Sequence, residues 1–295
     1  MKNMKSKENP LLSVLIPLYN HEKYIIDCLE SVKNEGYPSI EIIIVDDGST
    51  DGSFQTASNW LNSNDKNFIN SRIQSQENQG VAKTLNTLIS LSEGEYCLVL
   101  ASDDILIPNT IHGRIEILES NNELLVLFSD SIPIDESGKE LGKSSMELIH
   151  NASKSSYAKR PILSLILEWG VCGAVTIAKK DAWDSNRGTG PYPEELEFED
   201  RWFYLKLASM AAIAFIDIPV SKYRVSPHSL SRHPTIDNED KALDLVKSEF
   251  RGIEYFLIEL VSRFHRSRKI NPKSLRTRLY YVVVHILFKR FFRIF

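Results

Sequence analysis

The sequence predicts an α/β fold in which a central, mostly parallel sheet is flanked by helices and followed by a basic helical C-terminal region. Three observations carry the prediction. Short apolar runs alternate with segments of helical periodicity through the first half of the chain. Polar or acidic clusters follow three of those runs, where an open parallel sheet binds its ligands. The 295 residues, 42% of them hydrophobic, suffice for a sizeable core.

The first ten residues, MKNMKSKENP, read as a polar tail lacking the apolar stretch of a signal peptide. Leu12 to Leu18 (LSVLIPL) reads as a buried strand. The following EKYIIDCLESVKN sets Ile25, Leu29 and Val32 at helical spacing, and Gly36 and Pro38 punctuate its end. Glu41 to Val45 (EIIIV) is β-branched and bounded by DDGS, a second buried strand. A helix is expected from near Ser53, with Phe54, Ala57 and Leu61 on one face. Another is expected from about Gly80, with Val81, Leu85 and Leu88 on one face. Glu95 to Leu100 (EYCLVL) reads as a strand that ends at ASDD. Pro108 suits the first turn of a helix carrying Ile111, Ile115 and Leu118. Leu124 to Phe128 (LLVLF) is again strand-like. Such alternation implies parallel pairing with right-handed crossovers. From about 130 to 230 the pattern is less regular and reads as α+β. Within it Ser144 to Lys159 reads as a polar loop, and Ser229 to Asp240 as a linker. The expected organisation is a tail over 1–10, a main domain over 11–235 and a basic helical region over 236–295.

Composition removes several classes of function. A formal net charge of −4 gives no case for a nucleic-acid partner. Cys28, Cys97 and Cys172 are far apart and form no CxxC pair, which argues against a zinc site or a disulfide framework. Cys28 and Cys97 sit among apolar residues and read as core, consistent with a reducing cytosolic setting. No run of 18 apolar residues occurs, so no spanning helix is expected. Charge is uneven, however. Arg251 to Phe295 holds 11 Lys and Arg against 2 Asp and Glu, a net of +9, and the remainder carries −13.

Four clusters have chemical potential, and each has a plainer structural reading. In VDDGSTD, Asp46 and Asp47 at a strand end suit the ring N–H of a base or ribose hydroxyls, while Gly48 to Asp51 equally suit a tight turn with a capping Asp. In ASDD, Asp103 and Asp104 suit a hard divalent cation shared with phosphate oxygens, and equally suit capping of the next helix. In ELEFED, Glu199 and Asp200 suit a general base, or anions favoured by a helix N-terminus. In YRVSPHSLSR, Arg224 and His228 suit phosphate or metal, and His228 alone reads as a surface loop residue. A dinucleotide-dependent oxidoreductase is disfavoured, because LIPLYNHEK stands where GxGxxG would follow the first strand.

Taken in order, LLSVLIPLYNHEKYIIDCLESV, IEIIIVDDGSTDGS, NQGVAKTLNTLISLSEGEYCLVLASDD and FEDRWFYLKLA resemble the family 2 glycosyltransferases of GT-A fold over about Leu11 to Ser231. The resemblance implies an inverting transferase using a nucleotide-diphospho-sugar, most often UDP-linked, with Mg²⁺ or Mn²⁺. It implies a donor nucleotide half over 11–105 and an acceptor half over 106–235. Carried over by position, Pro17 and Tyr19 border the base, Asp47 binds uracil or ribose with Asp46 beside it, Asp103 binds the metal with Asp104 following, and Asp200 is the catalytic base. Two departures stand out. Ala101 replaces the first Asp of the family's Asp-x-Asp motif, and Ser226 stands where a His often follows Tyr223-Arg224, leaving His228 as the candidate metal contact. The acceptor implied is a saccharide or lipid-linked saccharide in surface polysaccharide, O-antigen or capsule assembly. Ala101 also suits a non-catalytic nucleotide-sugar-binding partner in such an assembly.

The C-terminal LYYVVVHILFKRFFRIF mixes apolar and aromatic residues with Lys289, Arg290 and Arg293. It reads either as a packed helix or as an interfacial one, giving peripheral contact through 260–295 with the inner face of the cell membrane.

Overall fold

The computed structural model describes residues 9–196, 199–226 and 236–270. Its centre is an eight-stranded sheet. In chain order the strands are β1 (Leu12–Leu18), β2 (Ile40–Asp46), β3 (Asn70–Ser75), β4 (Tyr96–Val99), β5 (Ile105–Leu106), β6 (Val126–Ile134), β7 (Thr176–Lys179) and β8 (Ile213–Arg224). Their spatial order is β3-β2-β1-β4-β7-β6-β8-β5. The first four pair in parallel. β7 then runs antiparallel to both β4 and β6, β8 is parallel to β6, and β5 is antiparallel to β8.

β1 and β2 are mostly apolar because both faces of the sheet are covered, with the buried Ser13 and Glu41 hydrogen-bonded to each other near one end. Val14, Ile16, Ile42 and Ile44 face one core with α1 (Ile25–Lys33), α2 (Ser53–Asn64) and α4 (Ile111–Ser120). Leu15, Ile43 and Val45 face the other. There they meet α3 (Val81–Leu91), and the same core continues through α7 (Pro161–Leu167), α8 (Glu199–Ser209), α9 (Ile236–Val246) and α10 (Gly252–Ile270). Cys28 and Cys97 are buried free thiols, one in each core.

Three expectations need correction, the first being the linker read over Ser229 to Asp240, of which α9 takes the residues from Ile236 onward. Ser144 to Lys159 is not a loop but two short helices, α5 (Ser145–His150) and α6 (Lys154–Lys159). Each starts at a serine whose hydroxyl accepts an N-terminal backbone N–H, Ser144 from Glu147 and Ser153 from Ser156. Helix α4 starts at Ile111, three residues after Pro108, because Asn109 turns the chain at φ 62°. The buried Glu35 carboxylate then accepts the Thr110 and Ile111 N–H groups, each at 2.8 Å, and so caps α4 from another element.

β1 marks the switch point of the sheet, since it joins β2 on one side and the later β4 on the other. Leu100 N–H donates to Leu15 O at 2.9 Å, after which pairing towards β4 stops. Pro17, two residues on, faces the same side and has no N–H to offer. The sheet opens there.

Away from this opening, burial pushes the carboxyl of Glu168, just past α7, up from 4.5 to about 7, opposed by an N–H from Ser153. A raised folded-state pKa contributes stability fully present below the unfolded value and lost as pH rises through the folded one. Glu168→Gln is therefore expected to match the wild type in melting temperature at about pH 5 and to exceed it at about pH 8.5. A difference that stays constant across that range would contradict the assignment.

Candidate active site

The carboxyl ends of β1 and β2 coincide, since Pro17 pairs with Val45 and Leu18 with Asp46. The chain after β1 then turns sharply at Asn20, φ 52°. Short bonds stitch this turn to the loop after β2. Asn20 N–H donates to Ser49 Oγ at 2.9 Å, Thr50 N–H to Asn20 Oδ1 at 2.8 Å, and His21 N–H to Ser53 Oγ at 2.8 Å. Asp51 accepts the Ser53 N–H at 2.9 Å and the Glu22 N–H at 3.1 Å, which fulfils its expected role at the start of α2. Tyr19 stands at the rim with 46% of its surface exposed.

Asp46 and Asp47 are both buried. Asp46 Oδ2 accepts Ser75 Oγ at 2.9 Å and the Ser49 N–H at 3.3 Å, while Oδ1 has no hydrogen-bond partner. Asp47 is fully engaged by the loop between β3 and α3. It accepts Gln76 Nε2, Gln79 N–H and Gly80 N–H, each at 2.9 Å. Gly48, at φ 74°, lies against this loop, and a Cβ there would stand 2.9 Å from Asn78 N. The second carboxylate of the pair therefore fixes one wall of the crevice.

The third strand end brings in Asp103 and Asp104, two residues with different surroundings. Asp104 is fully buried, accepting Arg224 N–H at 2.9 Å and Ala174 N–H at 3.2 Å. Burial, and then the charge of Asp103, push its carboxyl well above the usual range. Asp103 keeps 22% of its side chain exposed, with Oδ2 3.9 Å from His21 Nε2. His21 Nδ1 in turn lies 2.8 Å from Ser102 Oγ. His21 thus links the β1 loop to the β4 loop across 82 positions of sequence. Nothing in its sequence spacing signalled this.

Arg224, at the end of β8, locks the arrangement from below. Its Nε donates to Asp103 O at 2.9 Å, and its Nη1 donates to Asp135 O at 3.2 Å and Glu136 O at 3.1 Å. Its guanidinium lies 4.5 Å from the Tyr24 ring centroid. The expectation of a phosphate or metal contact at Arg224 is corrected. The side chain is buried and holds the backbone of the acidic loop instead.

Asp200 lies in the first turn of α8, where the helix dipole favours an anion, and it accepts its neighbour's N–H, Arg201 N, at 2.6 Å. Burial first, then the charge of Asp200, raise the Glu199 carboxyl. Two links join α8, and the segment before it at Tyr192, to the rest of the site. Tyr204 of α8 hydrogen-bonds Thr176 at the start of β7, whose preceding loop supplies Ala174 to Asp104. Asn86 of α3 exchanges two bonds with the Tyr192 backbone, at 2.8 and 2.9 Å, and Asp47 holds the start of α3. His228 lies outside the described residues.

A metal is testable on this donor set. Among the described residues no three His, Cys, Asp or Glu side chains cluster to cage an ion. A hard cation that keeps its remaining positions for phosphate oxygens and water needs only one or two carboxylates. The partly exposed Asp103 fits that requirement, and the buried, backbone-bonded Asp104 does not.

Polar strand ends over a switch point define an α/β protein with a ligand crevice at the carboxyl edge of its sheet. The family model for glycosyl transferase family 2 matches residues 13–182, and the chain belongs to that family. Similar proteins include the putative glycosyltransferase EpsH of Bacillus subtilis, 27% identical over 76% of this chain and 63% of EpsH. Chondroitin synthase of Escherichia coli is 34% identical over 45% of this chain and 19% of its own length. This chain thus spans less than two thirds of these relatives. Among solved structures, S. aureus TarS in complex with UDP-GlcNAc superposes with a TM-score of 0.67 at 18% identity, covering 93% of this chain and 79% of that one. Mannosyltransferase PcManGT of Pyrobaculum calidifontis, in complex with GDP-Man and Mn²⁺, gives 0.64 at 15% identity, covering 95% and 80%. The fold is GT-A.

Proposed function

We propose that the protein is an inverting, metal-dependent glycosyltransferase that moves a sugar from a nucleotide-diphospho-sugar to an acceptor hydroxyl in surface polysaccharide assembly. The observation that carries this reading is the contrast between Asp103 and Asp104. One carboxylate is partly exposed beside His21, and its neighbour is spent on backbone N–H groups. The TarS complex with UDP-GlcNAc supports a UDP-sugar, the PcManGT complex with GDP-Man keeps a GDP-sugar in view, and the likeness to chondroitin synthase supports polysaccharide assembly.

In this reading residues 11–105 hold the donor and 106–235 receive the acceptor. Pro17 and Tyr19 border the base, with the exposed Tyr19 ring as a stacking surface. Asp46 and Asp47 shape the uracil and ribose pocket, Asp47 by anchoring the 76–80 wall. Asp103 would hold Mg²⁺ or Mn²⁺, and the ion would supply neutralisation of the charge on the departing nucleoside diphosphate. Asp200 accepts the proton of the acceptor hydroxyl as its oxygen attacks the anomeric carbon. The bond to the diphosphate oxygen breaks on the opposite face, so one displacement inverts the centre. Burial and the charge of Asp200 raise the neighbouring Glu199 carboxyl. Screening UDP-, GDP- and dTDP-sugars for metal-dependent binding and turnover tests the proposal. Binding without turnover of any donor would favour the non-catalytic partner, the reading that Ala101 suits.

Among the described residues no helix is long and apolar enough to cross a membrane. The apolar and basic segment 271–295 lies outside them. We assign it peripheral contact with anionic lipid at the inner face of the cell membrane, where a lipid-linked acceptor would reside. The full chain is expected to bind anionic liposomes in a salt-sensitive way, and a chain ending at Asn271 to bind them far less. Equal binding by both would reject that assignment.

A further inference from the structure

His21 belongs to none of the clusters that the sequence singled out, yet it is the side chain that meets Asp103. Its position is built by three separate elements. The left-handed turn at Asn20 aims the chain, Ser53 fixes the His21 backbone at 2.8 Å, and Ser102 holds Nδ1 at 2.8 Å. The Tyr24 ring lies edge-on beside the imidazole, with centroids 6.0 Å apart. What remains free of these contacts is Nε2, which faces Asp103 Oδ2 at 3.9 Å with a third of the His21 side chain still exposed.

That separation is longer than a hydrogen bond, so the two atoms are not spent on each other. It is also a separation that one ion can bridge. Ligand bonds of about 2.1 Å put neighbouring donors of one ion about 3 Å apart and opposed donors about 4 Å apart. A ligating imidazole ordinarily donates its second ring N–H to an oxygen, which fixes the tautomer. Ser102 Oγ is placed to accept it from Nδ1.

We propose that His21 Nε2 is a second protein ligand of the divalent ion that Asp103 holds against the donor diphosphate. The assignment rests on the metal reading given above. It adds nitrogen to a site otherwise made of oxygen. Imidazole suits transition ions better than Mg²⁺, so the site selects Mn²⁺ over Mg²⁺.

The test uses the full chain with whichever of UDP, GDP and dTDP it binds. Mn²⁺ affinity is read by electron paramagnetic resonance of the free ion, and nitrogen ligation by electron spin echo modulation of the bound ion. The wild type is expected to show histidine nitrogen modulation that shifts on ¹⁵N-histidine labelling. His21→Asn and His21→Gln are expected to lose that modulation and to bind Mn²⁺ about 10-fold more weakly, with a narrowed preference over Mg²⁺. Their melting temperatures report whether each variant folds, and either one suffices. Bound Mn²⁺ in the wild type without histidine modulation overturns the His21 assignment and leaves the Asp103 metal reading standing. So does modulation that survives in both variants. A wild type that takes up no Mn²⁺ with any nucleotide overturns both.

Discussion

Asp103→Ala is expected to abolish sugar transfer and to remove metal-dependent binding of the donor. The diphosphate carries its charge into a crevice whose walls are already acidic. Asp46 and Asp47 stand at the end of β2, Asp103 and Asp104 follow β4, and the Arg that accompanies them is turned inward onto backbone carbonyls. In the proposed reading, an ion held by Asp103 would supply charge neutralisation of the leaving group. Loss of a single preorganised electrostatic contact commonly costs about 10²–10³-fold in turnover. Here the ion and its orientation are lost together, so the fall is expected to exceed that range. Asp104→Asn makes the contrast. Its carboxyl is fully buried and engaged by Arg224 and Ala174 N–H groups, so its replacement should first appear in stability. Full activity of Asp103→Ala in the presence of a chelator would sink the metal assignment.

The parts of the fold that read directly from sequence are those where local pattern and tertiary demand agree. β1 and β2 are apolar at most inward positions on both faces, and α1 and α3 carry their core residues at helical spacing. β3 did not read, because it is a polar edge strand, NSRIQS, that gains its place from pairing with β2 alone. α5 and α6 did not read because each is six residues long and owes its start to a serine cap more than to periodicity. The start of α4 is set by Glu35, more than seventy residues away, which no local window contains. The site divides in the same way. The carboxylates announced themselves as clusters at strand ends. His21 and the inward role of Arg224 depend on which loops meet in space, and a lone His or Arg in a polar stretch carries no sign of that.

Asp200→Asn is expected to leave donor affinity nearly unchanged and to cut turnover by about 10²-fold or more, the usual scale for a positioned base. The reasoning begins with where Asp200 lies. It stands in the first turn of α8, a helix that reaches the sheet through Tyr204 and Thr176 at the start of β7, whereas the donor is assigned to the loops after β1 and β2. An anion there is supported by the helix N-terminus, and Asn is nearly the same size and accepts the same Arg201 N–H. The variant should therefore fold and bind nucleotide-sugar while lacking the charged oxygen that takes the proton. The neighbouring Glu199 does not substitute for it. Burial and the Asp200 charge hold its carboxyl raised, and removing that charge lowers it only in part, because burial is the larger cause. The measurement is a pair of titrations, donor binding by calorimetry and turnover at saturating donor and acceptor. Loss of donor binding with unchanged turnover at saturation would move Asp200 to the donor side and remove it from the chemistry.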